Sequence, residues 1–414
     1  MAQTAAVQVE HNVSRRRKLV ALAWICLAEF LGMSIWFSFS AIKPILADEW
    51  GISNTDAGYI LSAFQLGYIA AVAVVGILAD RFNTRAVFAI SAVLAGVLNL
   101  GFTFLAGGLW SGILLRLLVG AAMAGVYTPG IKIVAGWFTP RERGRAVGVF
   151  VGALVLGSAS PYLLAPVATG IGWQALVVVT VVASFAAAGI MWFLVDDAPA
   201  STSSPFAFDP RLLKDRPLRL MNLGYVAHMW ELYAMWAWMG PFLIHTLEQQ
   251  GRSTDAATDL GGQLAFAIIG VGAVACAVAG FLGDWFGRTL TTSVLLVISA
   301  ACSFSFGFME TAPVALIALV GLVYGFAIVG DSPLYSAGIT ELAPRERIGA
   351  ALGVQSVLGF GTTIVSIFLF GVVVDHVSWT AAFIMLGVGA LLGPLFMLRL
   401  RSLPEAEQLA GGRR

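Results

Sequence analysis

Charged residues are scarce in this sequence. Asp, Glu, Lys and Arg make up 11% of the 414 residues, and hydrophobic residues make up 59%. A soluble domain carries about 25% charged residues, so this composition excludes one. Apolar runs of about 20 residues, the length that crosses a bilayer as a helix, recur along the whole chain instead. We number twelve such runs as helices 1 to 12, at roughly 19–42, 57–79, 86–106, 109–135, 146–169, 174–195, 220–244, 262–282, 289–309, 313–338, 349–374 and 379–398.

Cysteine is rare as well, and its positions exclude two kinds of site. Cys26, Cys276 and Cys302 fall singly inside predicted helices, which favours neither a disulfide framework nor a metal site. No nucleotide-binding loop of the Gly-x-x-x-x-Gly-Lys-Ser/Thr kind is present, so ATP is not the expected energy source. We expect no metal, no cofactor and no nucleic-acid partner. Because membrane strands alternate polar and apolar residues and these runs are continuous, the predicted fold class is an all-α membrane protein.

Positive charge is concentrated on one side of the predicted membrane. Of the 24 Lys and Arg residues, 20 lie in the two termini, the central loop and the other loops of that side. Two lie inside helix 4, and only Lys43 and Arg252 lie on the opposite side. The positive-inside rule therefore predicts a multi-pass protein of the cytoplasmic (inner) membrane with both termini in the cytoplasm. In this bilayer we expect a monomer.

The chain repeats itself at a shift of 204 residues. Residues 76–80 (Gly-Ile-Leu-Ala-Asp) match 280–284 (Gly-Phe-Leu-Gly-Asp), and residues 140–143 match 344–347, both Pro-Arg-Glu-Arg. Two six-helix halves related as parallel repeats are the plan of one class of secondary transporters, with a substrate site between the halves near the midplane. The predicted parts are an amino-terminal tail (1–18), two halves (19–195 and 220–401), a central loop (196–219) and a carboxyl-terminal tail (402–414).

Several motifs resemble those of the major facilitator superfamily. Residues 76–81 followed by Arg85 resemble its loop 2–3 signature, residues 137–145 resemble its loop 4–5, and Arg116 with Gly120 resembles its helix 4 motif. The resemblance covers about residues 19 to 401 and implies twelve transmembrane helices in two parallel repeats, with transport by alternating access.

The sequence departs from the superfamily pattern in two ways. Asn83 stands where the loop signature normally has Gly, and Trp285 stands where the first copy has Arg81, which suggests a cytoplasmic gate held asymmetrically. The stretch around helix 7 and residues 331–341 resembles a bacterial branch often labelled nitrate, nitrite or cyanate porters. However, helices 2 and 8 lack the arginines with which nitrate porters hold their anion.

The loop charges are candidates for a cytoplasmic gate. A carboxylate near a helix amino terminus is worth roughly 0.3–1 kcal/mol, and in the superfamily resembled this implies that Asp80 clamps the outward-facing state. We expect Arg81, Arg85 and Arg143 as its ion partners, and a close backbone approach at the glycine of each loop. The alternative is that these charges only fix orientation. The predicted gate residues are Gly76, Asp80, Arg81, Arg85, Arg143, Gly280, Asp284 and Arg288.

Five ionisable residues fall inside predicted helices: Glu29, Arg116, His228, Glu231 and Asp331. Each is a functional candidate, because a charge at the helix centre costs about 2.5–3.5 kcal/mol on insertion scales. All five belong to helices 1, 4, 7 and 10, which line the central cavity in the superfamily resembled. Glu29 and Glu231 occupy matching depths near the midplane of the two halves.

Helix 7 carries a stripe of such residues. Tyr225, His228, Glu231, Met235 and Trp238 follow three- and four-residue steps and so share one helix face. We predict that this face lines the cavity and that the histidine and the glutamate, three residues apart, share a proton. The alternative is a structural hydrogen bond that only orients helix 7.

Helices 4 and 10 supply the remaining candidates. Asp331 precedes Ser332-Pro333, and a proline inside a helix breaks it and frees a carbonyl, as at many ion or proton sites. Its repeat counterpart is Tyr127. Arg116 is expected either to bind a substrate anion or to pair with Glu29, and Lys132 to reach the cytoplasmic surface. The predicted substrate and proton-coupling residues are Glu29, Arg116, Tyr127, His228, Glu231, Trp238 and Asp331.

The predicted function is secondary active transport of a small organic metabolite, anionic or aromatic, coupled to protons. One alternative is an exporter that exchanges protons for drugs or metabolites. A second is a sensor or scaffold of the same fold that does not transport. No arrangement typical of an enzyme is evident in the sequence.

Overall fold

The computed structural model describes residues 14–197 and 209–414, and in those residues every long element is an α-helix. The predicted amino-terminal tail and central loop therefore lie partly outside the described residues. Helices 2, 3, 4 and 6 of the first half are Asn54–Arg81, Thr84–Leu105, Leu109–Trp137 and Trp173–Phe193. Helix 1 has two segments, Arg15–Met33 and Ser38–Trp50, and so has helix 5, Pro140–Leu163 and Ala165–Gly170.

The second half repeats this plan. Helices 7, 9, 11 and 12 are Arg216–Gln249, Arg288–Phe306, Ile348–His376 and Trp379–Arg401. Helix 8 consists of Thr254–Gly270 and Gly272–Phe286, and helix 10 of Val314–Gly330 and Ser332–Leu342. Short 3-10 turns at Pro210–Lys214, Arg345–Arg347 and Pro404–Gly412 lie beside these helices.

Eleven of the helical spans in the described residues are long and apolar enough to cross a membrane. Helix 7 is the twelfth. Its 34 residues extend about 51 Å at 1.5 Å per residue, which is ample for a bilayer, but Asn222, His228 and Glu231 within it lower its mean hydropathy. The prediction of an all-α membrane protein built of twelve helices in two parallel six-helix halves is confirmed.

The two ends of the bundle differ in charge. We call the end that holds the amino-terminal start of helix 1 the basic end, because Arg17 and Lys18 lie there, paired with Asp196 and Glu142 at 2.8 Å each. The opposite end, which holds the start of helix 2, is called the far end. Its helix 2 begins at a capping box in which Ser53 and Asp56 bond each other's backbone amides, a sequence-local reason for the helix to start there.

Within the described residues, the hydrogen bonds that join the halves lie towards the far end. Asn54 and Thr55 donate hydrogen bonds to Asp375 of helix 11, and the Ser62 hydroxyl donates to the Ile364 carbonyl at 2.8 Å. The Tyr162 hydroxyl of helix 5 likewise donates to the Trp236 carbonyl of helix 7 at 2.7 Å. At the basic end, no hydrogen bond or ion pair joins the six-helix halves within the described residues. The structure is therefore closed at the far end.

Candidate functional site

A layer of aromatic side chains lies between the halves, just inside the far-end seal. Trp36 of helix 1 and Tyr68 of helix 2 meet Tyr233 of helix 7 and Phe360 of helix 11. The ring centroids are 5.8 Å apart for Trp36 and Tyr233, and 4.8 Å apart for Tyr68 and Phe360. All four side chains are buried, so this layer is the core of the contact between the halves.

Arg116 holds the break in helix 1. Its Nη2 donates to the Trp36 carbonyl at 2.8 Å, and Nη1 lies 3.5 Å from the Ile35 carbonyl. Helix 1 stops at Met33, where the Ser34 and Ser38 hydroxyls donate to the Leu31 and Ile35 carbonyls and compete with the helix. Arg116 is therefore a second donor near the Ile35 carbonyl and the side-chain donor to the Trp36 carbonyl. The guanidinium is 1% exposed and therefore bonds backbone oxygens in the membrane interior.

Close packing of helices 2 and 4 fixes the position of Arg116. A Cβ atom at Gly120 would lie 2.0 Å from the Phe64 carbonyl oxygen, so only glycine fits there. The guanidinium, one turn away, then lies 4.5 Å from the centroid of the Phe64 ring, within the range of a cation–π contact. The Arg–Gly spacing seen in the sequence is thus explained by helix packing.

Arg116 also lines a small cavity between the halves. The cavity is about 10 Å³, with Trp36, Gln65 and Ala237 among its other lining residues, and such a volume accommodates about one water-sized group. Three buried atoms of its lining lack a hydrogen-bond partner in the described residues: Arg116 Nε, Gln65 Oε1 and Trp36 Nε1. Sequence reasoning missed Gln65, which carries no charge and lies in an otherwise apolar run.

The pairing of Arg116 with Glu29, one of the two predicted alternatives, is not formed. Both carboxylate oxygens of Glu29 are buried without a hydrogen-bond partner among the described residues. Its Oε2 lies against helix 4 at Gly130, where an added Cβ atom would be 3.3 Å away. Glu29 is therefore buried, as expected, but its carboxylate faces a glycine.

The helix 7 face that meets the first half differs from the predicted one. Tyr233 packs on Trp36, the Trp236 carbonyl accepts from Tyr162, and Gly240 packs on the Tyr162 ring. Glu231 lies on the opposite side of the helix, two residues or about 200° from Tyr233. The prediction that Glu231 lines the cavity is wrong.

Glu231 lies in the core of the second half. The hydroxyls of Ser299 on helix 9 and Tyr324 on helix 10 donate to its two carboxylate oxygens at 2.8 and 2.9 Å. The carboxylate is 0% exposed, so both oxygens are satisfied within the protein. Trp238, about two turns further, donates from Nε1 to the Ile367 carbonyl of its own half at 3.1 Å, and its ring also reaches Lys43 of the first half.

His228 pairs with Asp331. The His228 Nδ1 and Asp331 Oδ1 atoms are 2.8 Å apart, and both side chains are fully buried. Asp331 stands at the break between the two segments of helix 10, as its position before Ser332-Pro333 predicts. The predicted sharing of a proton between His228 and Glu231 is wrong, because a residue 103 positions away in the chain supplies the carboxylate. Tyr127, the counterpart of Asp331, stacks on Phe150 at 6.2 Å.

At the basic end, the predicted gate residues form ion pairs within each half. Asp80 pairs with Lys132 of helix 4 at 2.6 Å, so the expected partners Arg81, Arg85 and Arg143 are wrong. Arg85 pairs instead with Asp197 at 2.7 Å. Lys132 bonds helix 2 and does not simply extend to the surface, because its ammonium also donates to the Ala79 carbonyl at 2.6 Å.

The second copy of the gate motif has different partners. Arg288 contacts Asp284 at 2.8 Å and Glu341 at 3.0 Å. Gly280 is not a point of close approach, since no atom lies within 4 Å of a Cβ built there; Gly76 is buried in helix 2. Because none of these pairs crosses between the halves, they do not hold the basic end closed in this conformation.

Two parallel six-helix halves, with buried ionisable side chains on helices 1, 4, 7 and 10, define the class as a membrane transporter of the twelve-helix type. The family model described as Major Facilitator Superfamily matches residues 25–366. The chain belongs to that superfamily, and it is a transporter, not an enzyme.

Individual relatives span most of the chain. A hexuronate transporter of Bacillus subtilis (strain 168) is 23% identical over 407 residues, 92% of this chain and 94% of that protein. A probable L-galactonate transporter of Escherichia coli (strain K12) is 24% identical over 393 residues, 86% and 83% of the two chains. The membrane sensor protein UhpC of Salmonella typhimurium (strain LT2) is 23% identical over 419 residues, 92% and 91%.

The fold also matches a solved structure. A bacterial homolog of the human lysosomal transporter Spinster, in an inward-facing and occupied conformation, superposes with a TM-score of 0.72. The superposition covers 95% of this chain and 99% of that chain at 15% identity. This likeness concerns the fold.

Proposed function

We propose that this protein carries a small organic anion across the cytoplasmic membrane by alternating access, coupled to protons. The observation that carries the proposal is Arg116: a buried guanidinium at the contact between the halves, with no carboxylate within ion-pair distance in the described residues. Arg116 and Trp36 form the anion-binding set, since both line one cavity and each has an unused N–H donor, while the unused Gln65 Oε1 of the same cavity accepts from a substrate hydroxyl.

Physical chemistry favours a carboxylate at this set. A buried charge is costly unless it is paired and hydrogen-bonded, and the carbonyls of Ile35 and Trp36 neutralise only part of the guanidinium charge. Arginine presents parallel N–H donors that match a carboxylate. The similarity to a hexuronate transporter and a probable L-galactonate transporter supports sugar acids as the first class to test.

Proton coupling is assigned to the second half. His228 and Asp331 form an ion pair when the imidazole is protonated and the carboxylate is not. Adding one proton neutralises the carboxylate, and removing one neutralises the imidazole. Since Asp331 stands at the break in helix 10, such a change alters how helix 10 is held against helix 7. Glu29 is a further candidate proton carrier, because its buried oxygens have no hydroxyl donor among the described residues.

Alternating access follows from the distribution of contacts between the halves. With the basic end in the cytoplasm, as the positive charges favour, the far-end seal through Asp375 and Tyr162 closes the protein to the outside. In the opposite state this seal opens and the gate carboxylates Asp80 and Asp284 exchange their present partners for groups of the other half.

The test is transport by purified protein in proteoliposomes. We expect uptake of D-glucuronate or L-galactonate, faster with an inward proton gradient than without one, and no uptake of D-galactose, which lacks the carboxylate. A proton ionophore should reduce uptake to the rate without a gradient. Uptake of none of a panel of sugar acids, short sulfonates and aromatic carboxylates by folded protein would refute an anion carrier.

The aromatic layer supports a second candidate, export of planar apolar compounds. Trp36, Tyr68, Tyr233 and Phe360 offer ring faces on both halves, and ring faces stack on flat ligands. This candidate predicts that expressing cells extrude a fluorescent dye and gain resistance, and that alkalinising the medium abolishes both effects.

A further inference from the structure

Lys43 is a buried cation at the far end. It lies in the Ser38–Trp50 segment of helix 1, and the residue is 8% exposed. Its ammonium donates a hydrogen bond to Asn54 Oδ1 and lies 5.6 Å from the ring centroid of Trp238, which belongs to the other half. Sequence reasoning counted Lys43 only as a loop charge, although it is one of only two cations on this side.

A carboxylate of the second half binds the same asparagine as this cation. Asp375 accepts hydrogen bonds from the backbone amides of Asn54 at 3.2 Å and Thr55 at 2.6 Å, and from the Asn54 side-chain amide at 2.7 Å. Asn54 therefore bridges Lys43 of the first half and Asp375 of the second. The first turn of helix 2 also favours an anion at this point, because its amides are unpaired and its dipole is positive there.

Lys43 lies on the route to the proposed anion site. It follows Trp36 by seven residues, about 10 Å at helical rise, and Trp36 both lines the Arg116 cavity and accepts the bond from Arg116. On the other half, Trp238 covers Lys43 while the neighbouring Ala237 lines the Arg116 cavity. The two cations thus follow one another from the far end inward.

We propose that Lys43 is the outer capture residue for the carboxylate of the incoming substrate. When the halves separate at the far end, Asp375 and Trp238 leave with the second half, and Lys43 stays with Asn54 at the open mouth. The carboxylate of a small organic anion then takes the place of the Asp375 carboxylate and is passed inward to Arg116. This inference rests on the proposed function, since it requires an anionic substrate.

The test compares initial uptake of D-glucuronate in proteoliposomes at low and high ionic strength. Lys43→Gln is expected to raise KM about tenfold at low ionic strength with kcat little changed, and the difference should shrink as salt screens the charge. Lys43→Arg should restore the KM. The matched control is Arg252→Gln, which removes the other positive charge of this side at an exposed position and should leave KM unchanged.

Asp375→Asn supplies an independent arm in case Lys43→Gln fails to fold. It removes the competing carboxylate and keeps the cation, so KM should fall. A rise in KM for Asp375→Asn overturns the inference, as does a Lys43→Gln loss that is independent of salt or not rescued by arginine. If the wild type takes up anions and Lys43→Gln behaves like Arg252→Gln, only this inference fails. If the folded wild type takes up no anion, both the proposed function and the capture role of Lys43 are refuted.

Discussion

Replacing Arg116 with lysine separates an anion-binding arginine from a purely structural one. Arg116 bonds the Trp36 carbonyl through Nη2 at 2.8 Å, approaches the Ser38 hydroxyl at 3.4 Å through Nη1, and leaves Nε unpartnered in the described residues. Lysine keeps the charge but has one ammonium in place of a planar fork. It can bond the helix 1 carbonyl or a substrate carboxylate, but it cannot present parallel donors to the carboxylate at the same time.

The size of the effect follows from the lost donor. A hydrogen bond to a charged group contributes about 1.5–3 kcal/mol, and 1.36 kcal/mol corresponds to a factor of ten. Arg116→Lys should therefore weaken binding of an anionic substrate by about 10- to 150-fold. Binding of any neutral substrate should change little, because it does not use the fork.

The assay is concentration-dependent uptake of D-glucuronate by proteoliposomes, with ligand-induced thermal stabilisation as a second measure of binding. Arg252→Lys, at an exposed site of the far end, controls for the general effect of the substitution. The reasoning is refuted if Arg116→Lys binds the anion as well as the wild type. It is also refuted if the variant loses the same stability with and without ligand, since Arg116 would then only support the break in helix 1.

Three further predictions test the geometry. Asp331→Asn should abolish proton-driven uptake while counterflow exchange continues; loss of both would remove Asp331 from coupling. Gly120→Ala places a Cβ atom 2.0 Å from a carbonyl of helix 2 and should lower stability by about 1–3 kcal/mol or more, whereas Gly101→Ala, with one atom at 4.0 Å, should not change the melting temperature. A double-mutant cycle of Asp80→Asn and Lys132→Gln should give about 0.5–1 kcal/mol, because both side chains are about a fifth exposed; a value of zero would show that the pair contributes no stability.

The positions of the helices could be predicted from the sequence because continuous apolar runs of spanning length have no other stable arrangement in a bilayer. The break in helix 10 at Asp331 could also be predicted, because a proline follows closely in the sequence. These features depend on neighbouring residues only. The direction in which each buried side chain points depends on residues that are distant in the chain. These directions were therefore predicted less well.

Helix 7 illustrates this difference. The spacing of His228 and Glu231 shows that they lie near one another on the helix, but it does not show which neighbour that face meets. In a helix buried on all sides, apolar residues mark no single inward face. From the sequence alone, either Glu231 or Asp331 could be the partner of His228. The packing of helix 10 against helix 7 makes Asp331 the partner.

The ion partner of the gate residue Asp80 was also not predictable from neighbouring residues. Asp80 is followed in the sequence by Arg81 and Arg85, and their proximity in the chain led to the prediction that they form ion pairs with it. The structure assigns it to Lys132 of helix 4, which is 52 residues away. Arg81 points elsewhere because successive residues of a helix lie 100° apart, and Arg85 belongs to helix 3.

The repeat also explains why the two halves differ at matching carboxylates. In the first half, helix 4 approaches the Phe64 carbonyl at Gly120. In the second half, the matching carbonyl is that of Ile268, and helix 10 approaches it at Gly325, where an added Cβ would be 1.6 Å away. The contact has moved by one residue, since Gly120 plus 204 is position 324.

That shift frees position 324 for a large side chain, and the residue there is Tyr324, whose hydroxyl bonds Glu231. The first half cannot build the same pair, because Gly120 has no room for a side chain and Ala95 stands where the second half has Ser299. Glu29 therefore lacks both hydroxyl donors, while the helix contact that removes one of them positions Arg116 a turn away. Close packing of helices 2 and 4 thus gives the first half its fixed positive charge and leaves its carboxylate unbonded, and a one-residue slip gives the second half a satisfied carboxylate instead.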